Sequence, residues 1–152
     1  MLKKNEKGFT LIELIVVIVV LGILAAFAYA RYTTMVRDAR VAAVNGLAGG
    51  LRSAVALVQG QYLISGVNPV VMFDTTTVAV GTVGAAAGVP TGAVAGIGSA
   101  LRQDLQLAGS GWTVVYTLGG VSTFRPNPPN LATCQATYTD TTGAVAVTIT
   151  GC

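Results

Sequence analysis

A chain of 152 residues with no histidine has room for one modest domain, and it excludes Ser-His-Asp or Cys-His catalysis and any histidine-ligated metal. The formal charge of +3 is concentrated at the start: Lys3, Lys4 and Lys7 against Glu6 contribute +2, and beyond Gly8 six arginines face five acids. A near-neutral body of that kind lacks the many phosphate contacts on which sequence-independent nucleic-acid binding depends, so no specific nucleic acid is expected as a partner.

The first element is an apolar run. From Phe9 to Tyr29, 21 residues carry a single charge, Glu13. As a helix rising ~1.5 Å per residue, the run is long enough to cross a bilayer core of ~30 Å. The lysines in front of it hold that end in the cytoplasm and send the rest outward. A removable signal peptide would place small residues at the far end of the run, where Ala25, Ala26 and Ala28 stand. Two features oppose that alternative: the run is longer than a signal-peptide core, and it carries Glu13 near its start. An ionisable group costs roughly 2.5–3.5 kcal/mol at the bilayer centre. Glu13 lies four residues past Phe9, ~6 Å along a helix, so it can still reach the headgroups.

The segment K-G-F-T-L-I-E-L-I-V-V-I-V-V-L-G-I-L-A resembles the N-terminus of type IV pilins and their pseudopilin relatives. The resemblance implies that a prepilin peptidase cuts between Gly8 and Phe9 and methylates the new N-terminus at Phe9. Residues 1–8 would then be a leader, 9–31 a retained transmembrane and filament-core helix, and 32–152 a globular head. The resemblance further implies that Glu13 attracts the Phe9 amine of a neighbouring subunit. An α-amine of pKa ~8 is cationic at neutral pH. At ~4 Å and an effective dielectric of 20, that pair is worth ~4 kcal/mol. Desolvation offsets much of this, so the pair sets register more than it drives assembly. The family often has proline where Ala30 stands. Here the backbone donor is kept and the helix need not break, while Gly22 weakens it by only ~1 kcal/mol. The partners implied are other copies of the chain, the prepilin peptidase, an assembly platform with its ATPase, and the inner membrane before export to an extracellular pilus.

Residues 32–62 continue as an amphipathic half-helix. Val44, Leu47, Leu51, Val55, Val58 and Tyr62 recur at spacings of three or four, one apolar stripe. Gly46, Gly49 and Gly50 are compatible with either a bend or the close approach of a sheet. The run D-A-R-V-A-A-V-N-G-L-A-G-G-L-R-S-A-V-A-L is similar to the mannose-sensitive haemagglutinin class of pilins.

Residues 63–110 form a connecting region with short strands expected near Val70–Phe73 and Val78–Val80. Thr91 is expected to cap a short helix from about Gly92 to Leu105. Residues 111–152 are β-like. Trp112–Leu118 and Val121–Phe124 flank the hairpin signal Gly119-Gly120. Thr133–Thr139 and Ala144–Thr150 flank Thr141-Thr142-Gly143. The proline-rich run Arg125–Asn130 reads as a loop, because proline cannot donate in a central strand.

Cys134 and Cys152 lie in the exported part, an oxidising compartment, and are expected to bridge rather than remain two free thiols. Many type IV pilins have a C-terminal disulfide loop of this kind.

The fold class expected is α+β: a long N-terminal α-helix, its apolar half in membrane or filament core, packed on a C-terminal antiparallel sheet of about four strands, the type IV pilin fold. The acids Asp38, Asp74, Asp104 and Asp140 are scattered, no lysine-bearing phosphate loop occurs, and the calcium loop of some pseudopilins would here have only Asp140. No catalytic residue, cofactor or metal is therefore expected. The tyrosines Tyr29 and Tyr32 stand where interfacial aromatics are expected. The function expected is that of a major pilin, polymerised into a surface filament for adhesion, motility or DNA uptake. The alternatives are a type II secretion pseudopilin, and a minor pilin acting as tip adhesin or DNA-binding module.

Overall fold

The computed structural model describes residues 9–101 and 111–152. One helix, α1 (Leu11–Ser65, 55 residues), dominates the first half. It runs unbroken through Gly22, Gly46, Gly49, Gly50 and Gly60, and a Cβ built at any of these would meet nothing within 4 Å. The three central glycines therefore interrupt no helix and, among the described residues, mark no close approach of the sheet. The helix also continues through Ala30, whose carbonyl accepts the Thr33 and Thr34 hydroxyls at 3.0 and 3.1 Å. It stops at Gly66, which takes a left-handed φ of 65° and donates its amide to the Tyr62 carbonyl.

The chain divides into two compact units, one ending at Arg37 and the other spanning Asp38–Cys152. In the first unit, residues 14–30 of α1 are apolar on every side, and none of its most hydrophobic stretch is buried against the chain. A helix hydrophobic all round finds its stable setting inside a membrane or a larger assembly.

In the second unit α1 is amphipathic. The stripe read from the sequence is the buried one: Val44, Leu47, Leu51, Val55 and Val58 are buried and Tyr62 half-buried. Against it lies a sheet of four antiparallel strands in sequence order: β3 (Trp112–Val115), β4 (Val121–Pro126), β5 (Gln135–Thr139) and β6 (Ala144–Thr148). Side chains alternate across each strand, so Phe124, Ala136 and Tyr138 enter the core with the helix stripe and Ile97. Tyr116 meets Phe124 edge to face, with ring centroids 6.2 Å apart. A small second sheet pairs β1 (Val70–Val71) with β2 (Thr77–Val78) and buries Val70 and Val78 with Val58.

Two sequence expectations require correction. The stretch after Thr91 is helical, but it is not capped by that residue. It opens as a short wide-turned π-helical segment, Val94–Gly98, preceded by Ala93 without a side-chain cap, and becomes α-helical at Ser99 and Ala100. Gly96 packs so tightly on Thr91 that a Cβ there would lie 2.2 Å from the Thr91 carbonyl oxygen, so this position of the segment requires glycine. The expected end of that helix, Leu105, lies outside the described residues.

The second correction concerns the proline-rich loop. It begins two residues later than expected, because Arg125 and Pro126 belong to β4 and pair with Thr113 and Trp112. Pairing of β4 with β5 ends at Phe124–Ala136, so beyond that point β4 has one neighbour only among the described residues. The next amide, Asn127, donates to the Gly111 carbonyl across the β3 side. Successive amides point to opposite sides, so the proline nitrogen faces the side that has no strand.

Three buried side chains fasten the connecting region to the sheet. The Tyr138 hydroxyl donates to the Pro90 carbonyl at 2.5 Å. The Ser122 hydroxyl donates to the Gly92 carbonyl at 3.3 Å and accepts the Thr117 amide at 3.1 Å. One carboxylate oxygen of Asp140 accepts the Gly92 and Gly119 amides at 3.1 and 2.7 Å. Gly92 has no room for a side chain, since a Cβ would lie 2.1 Å from the Thr117 carbonyl oxygen.

Burial, and secondarily the Asp140 charge, raises the Tyr138 phenol well above its ordinary value. The folded chain therefore keeps this proton at pH values where the unfolded chain has released it. The resulting stability is present in full below pH ~10 and is lost as pH rises toward the folded value, by at most ~1.4 kcal/mol per pH unit. Thermal unfolding scans from pH 9 to 11.5 should show a falling midpoint, and Tyr138→Phe should flatten the slope. At neutral pH the same variant should lose ~1–3 kcal/mol, because the Pro90 carbonyl is left buried without its donor.

Candidate functional site

The start of α1 is built around one carboxylate. Thr10 is the residue before the helix and Glu13 is its third residue, the spacing of a capping box. The Thr10 amide and hydroxyl both donate to the same Glu13 oxygen, Oε2, at 2.9 and 2.8 Å. The Glu13 amide donates back to the Thr10 hydroxyl oxygen at 3.4 Å. The other oxygen, Oε1, has no hydrogen bond among the described residues.

Phe9, Ile12, Glu13, Val16 and Val17 line an open concavity of about 330 Å³ along one flank of the helix. Residues three and four apart share a helix face, so this flank presents a single acid within an otherwise apolar surface. The flank is bare: Phe9 is 85% exposed and Ile12 69%. Such an arrangement suits an apolar partner that brings one cation to the level of Glu13.

Of the residues singled out from the sequence, Phe9 and Glu13 fall on this flank, whereas Gly8 lies outside the described residues. Thr10 is the member that the sequence reading passed over. Its signal was present, since T-x-x-E ahead of an apolar run is the capping-box pattern.

Cys134 and Cys152, 18 positions apart, form a disulfide in the other unit. They flank the open end of the β5–β6 hairpin, where Gln135 pairs with Thr148. The same corner is held by the Gly151 amide, which donates to the Thr133 carbonyl at 2.9 Å, and by Arg40, which donates to the Cys152 carbonyl at 3.3 Å. Arg52 donates to the Val145 carbonyl of β6 at 3.2 Å. Two arginines of α1 thus bond to carbonyls of the last strand and the segment after it.

Residues 3–29 match the family model described as the prokaryotic N-terminal methylation motif. The chain is similar to the fimbrial protein EcpC of Eikenella corrodens, with 46% identity over 56 residues, 37% of each chain. It is also similar to the type IV major fimbrial protein FimA of Dichelobacter nodosus, with 44% identity over 55 residues, 36% of this chain and 34% of the relative. The match thus spans little more than a third of these relatives' own length. No solved structure matches the chain.

Proposed function

We propose that this chain, a type IV pilin by its N-terminal motif and its fold, is the major subunit of a type IV pilus. Its role is structural rather than catalytic. The observation that carries the reading is the bare apolar helix with one carboxylate near its start.

The proposed sequence of events begins in the inner membrane, where residues 9–31 cross the lipid and a prepilin peptidase removes residues 1–8. Cleavage between Gly8 and Phe9 creates an amine at Phe9, which is methylated and remains cationic. An assembly platform driven by an ATPase then moves the subunit into the filament. There its helix exchanges lipid for the helices of neighbours, and Glu13 of one copy meets the Phe9 amine of another. Valine, isoleucine, leucine and alanine pack by van der Waals contact, which lipid opposes little. The residues from 32 onward form the surface of the fibre. The similarity over residues 38–57 supports placing the chain in the mannose-sensitive haemagglutinin class.

Intact-mass measurement and electron microscopy of sheared surface fibres test this reading. The chain should be the abundant component and should begin at a methylated Phe9 with Cys134 and Cys152 joined. Confinement of the chain to the cell envelope would instead indicate a secretion pseudopilin, and rare copies at fibre tips would indicate a minor pilin. Gly8→Val should leave the precursor uncut. Its mass in the membrane would exceed that of the mature chain by the eight leader residues, and none should reach the fibres.

A further inference from the structure

We propose that Thr10 is a positioning residue for Glu13, holding one carboxylate oxygen on its own helix so that the other is presented to the neighbouring subunit. The inference rests on the charge-pair reading of Glu13 given above. Its basis is the unequal use of the two oxygens: Oε2 takes both Thr10 donors, and Oε1 has no partner among the described residues.

A glutamate side chain turns about three bonds, and free rotation would spread the carboxylate over many positions. Two donors on one oxygen remove that freedom before any partner arrives, which lowers the ordering cost of binding. They also hold the charge at the N-terminal end of α1, where the helix dipole favours it and where a new α-amine of a neighbour would lie. Because an apolar filament core supplies little water to the carboxylate, the Thr10 donors replace part of its hydration there. The neighbour's amine then completes the shell at Oε1 without displacing either bond.

A merely structural cap makes a different prediction, and the two can be separated because glutamine at the Glu13 position preserves a capping box while losing the charge. The experiment uses a strain that produces wild-type chain together with one variant. Incorporation into sheared fibres is measured relative to the processed, methylated membrane pool, by mass spectrometry of the peptide from Phe9 to Arg31. Thr10→Val should lower incorporation roughly tenfold, the scale of one hydrogen bond to a charged group. Thr10→Ser, which keeps both donors, should incorporate as wild type. In a Glu13→Gln background, Thr10→Val should cause no additional loss.

Equal loss from Thr10→Val in both backgrounds would reduce Thr10 to a cap and overturn the proposal. Wild-type incorporation of Thr10→Val while Glu13→Gln is excluded would overturn it as well, leaving the charge pair intact. Wild-type incorporation of Glu13→Gln would overturn the charge pair itself, and this inference with it.

Discussion

Glu13→Ala should accumulate in the membrane as a cut and methylated subunit yet be nearly absent from fibres when no wild-type copy is present. Insertion should not suffer, because removing a charge from a membrane segment can only relieve cost, up to roughly 2.5–3.5 kcal/mol at the bilayer centre and less near the headgroups. The helix should also survive: losing a cap costs ~1 kcal/mol, whereas α1 has 55 residues and is held by its buried stripe beyond Val44. What is lost is the partner of a neighbour's amine in an apolar setting. Leaving one member of a buried pair unmatched costs ~3–5 kcal/mol, roughly two to three and a half orders of magnitude in association. Quantifying the chain in fibre and membrane fractions checks this directly. Normal piliation by Glu13→Ala would remove the charge pair from the proposed mechanism.

The second large effect is expected at the opposite end of the chain. Replacing Cys134 and Cys152 together by serine should destabilise the fold by ~3 kcal/mol in the chain-entropy model, given a loop of about this length. The structure offers partial compensation, because the Gly151 amide and the Arg40 guanidinium still hold the corner next to the lost bridge. Neither contact limits the unfolded chain, however, and that limit is the bridge's contribution in this model. The unfolding midpoint of the full chain in detergent should fall by roughly 10 °C. Adding reductant to wild-type chain should reproduce the shift, while the double variant should be insensitive to it. A variant as stable as wild type would show that the surrounding hydrogen bonds suffice.

The sequence by itself determined the long helix, its two chemical halves and the strands, because each depends on local periodicity. Twenty-one residues with one charge need no distant contact to be read as a span. The stripe from Val44 to Val58 is buried residue for residue as its spacing requires. The two hairpins of the sheet also follow from alternating residues around Gly119-Gly120 and Gly143. Even the capping box was written as T-x-x-E, although the sequence could not say that both donors of Thr10 would choose one oxygen.

Tertiary structure decided the segments in which glycine and proline carry meaning only through their neighbours. Gly96 tolerates no side chain because Thr91 lies against it, and Pro126 enters a strand because the β4–β5 pairing has already ended beside it. Gly46, Gly49 and Gly50 stay within one unbroken helix, and among the described residues nothing packs within 4 Å of where their side chains would stand. Asp140, unremarkable among scattered acids, became a buried anchor only when the fold brought the Gly92 and Gly119 amides to it from 48 and 21 positions away. The physical reason is common to all of them. Periodicity reports which face of an element is apolar, whereas the neighbours of a single backbone atom are set by contacts far apart in the chain.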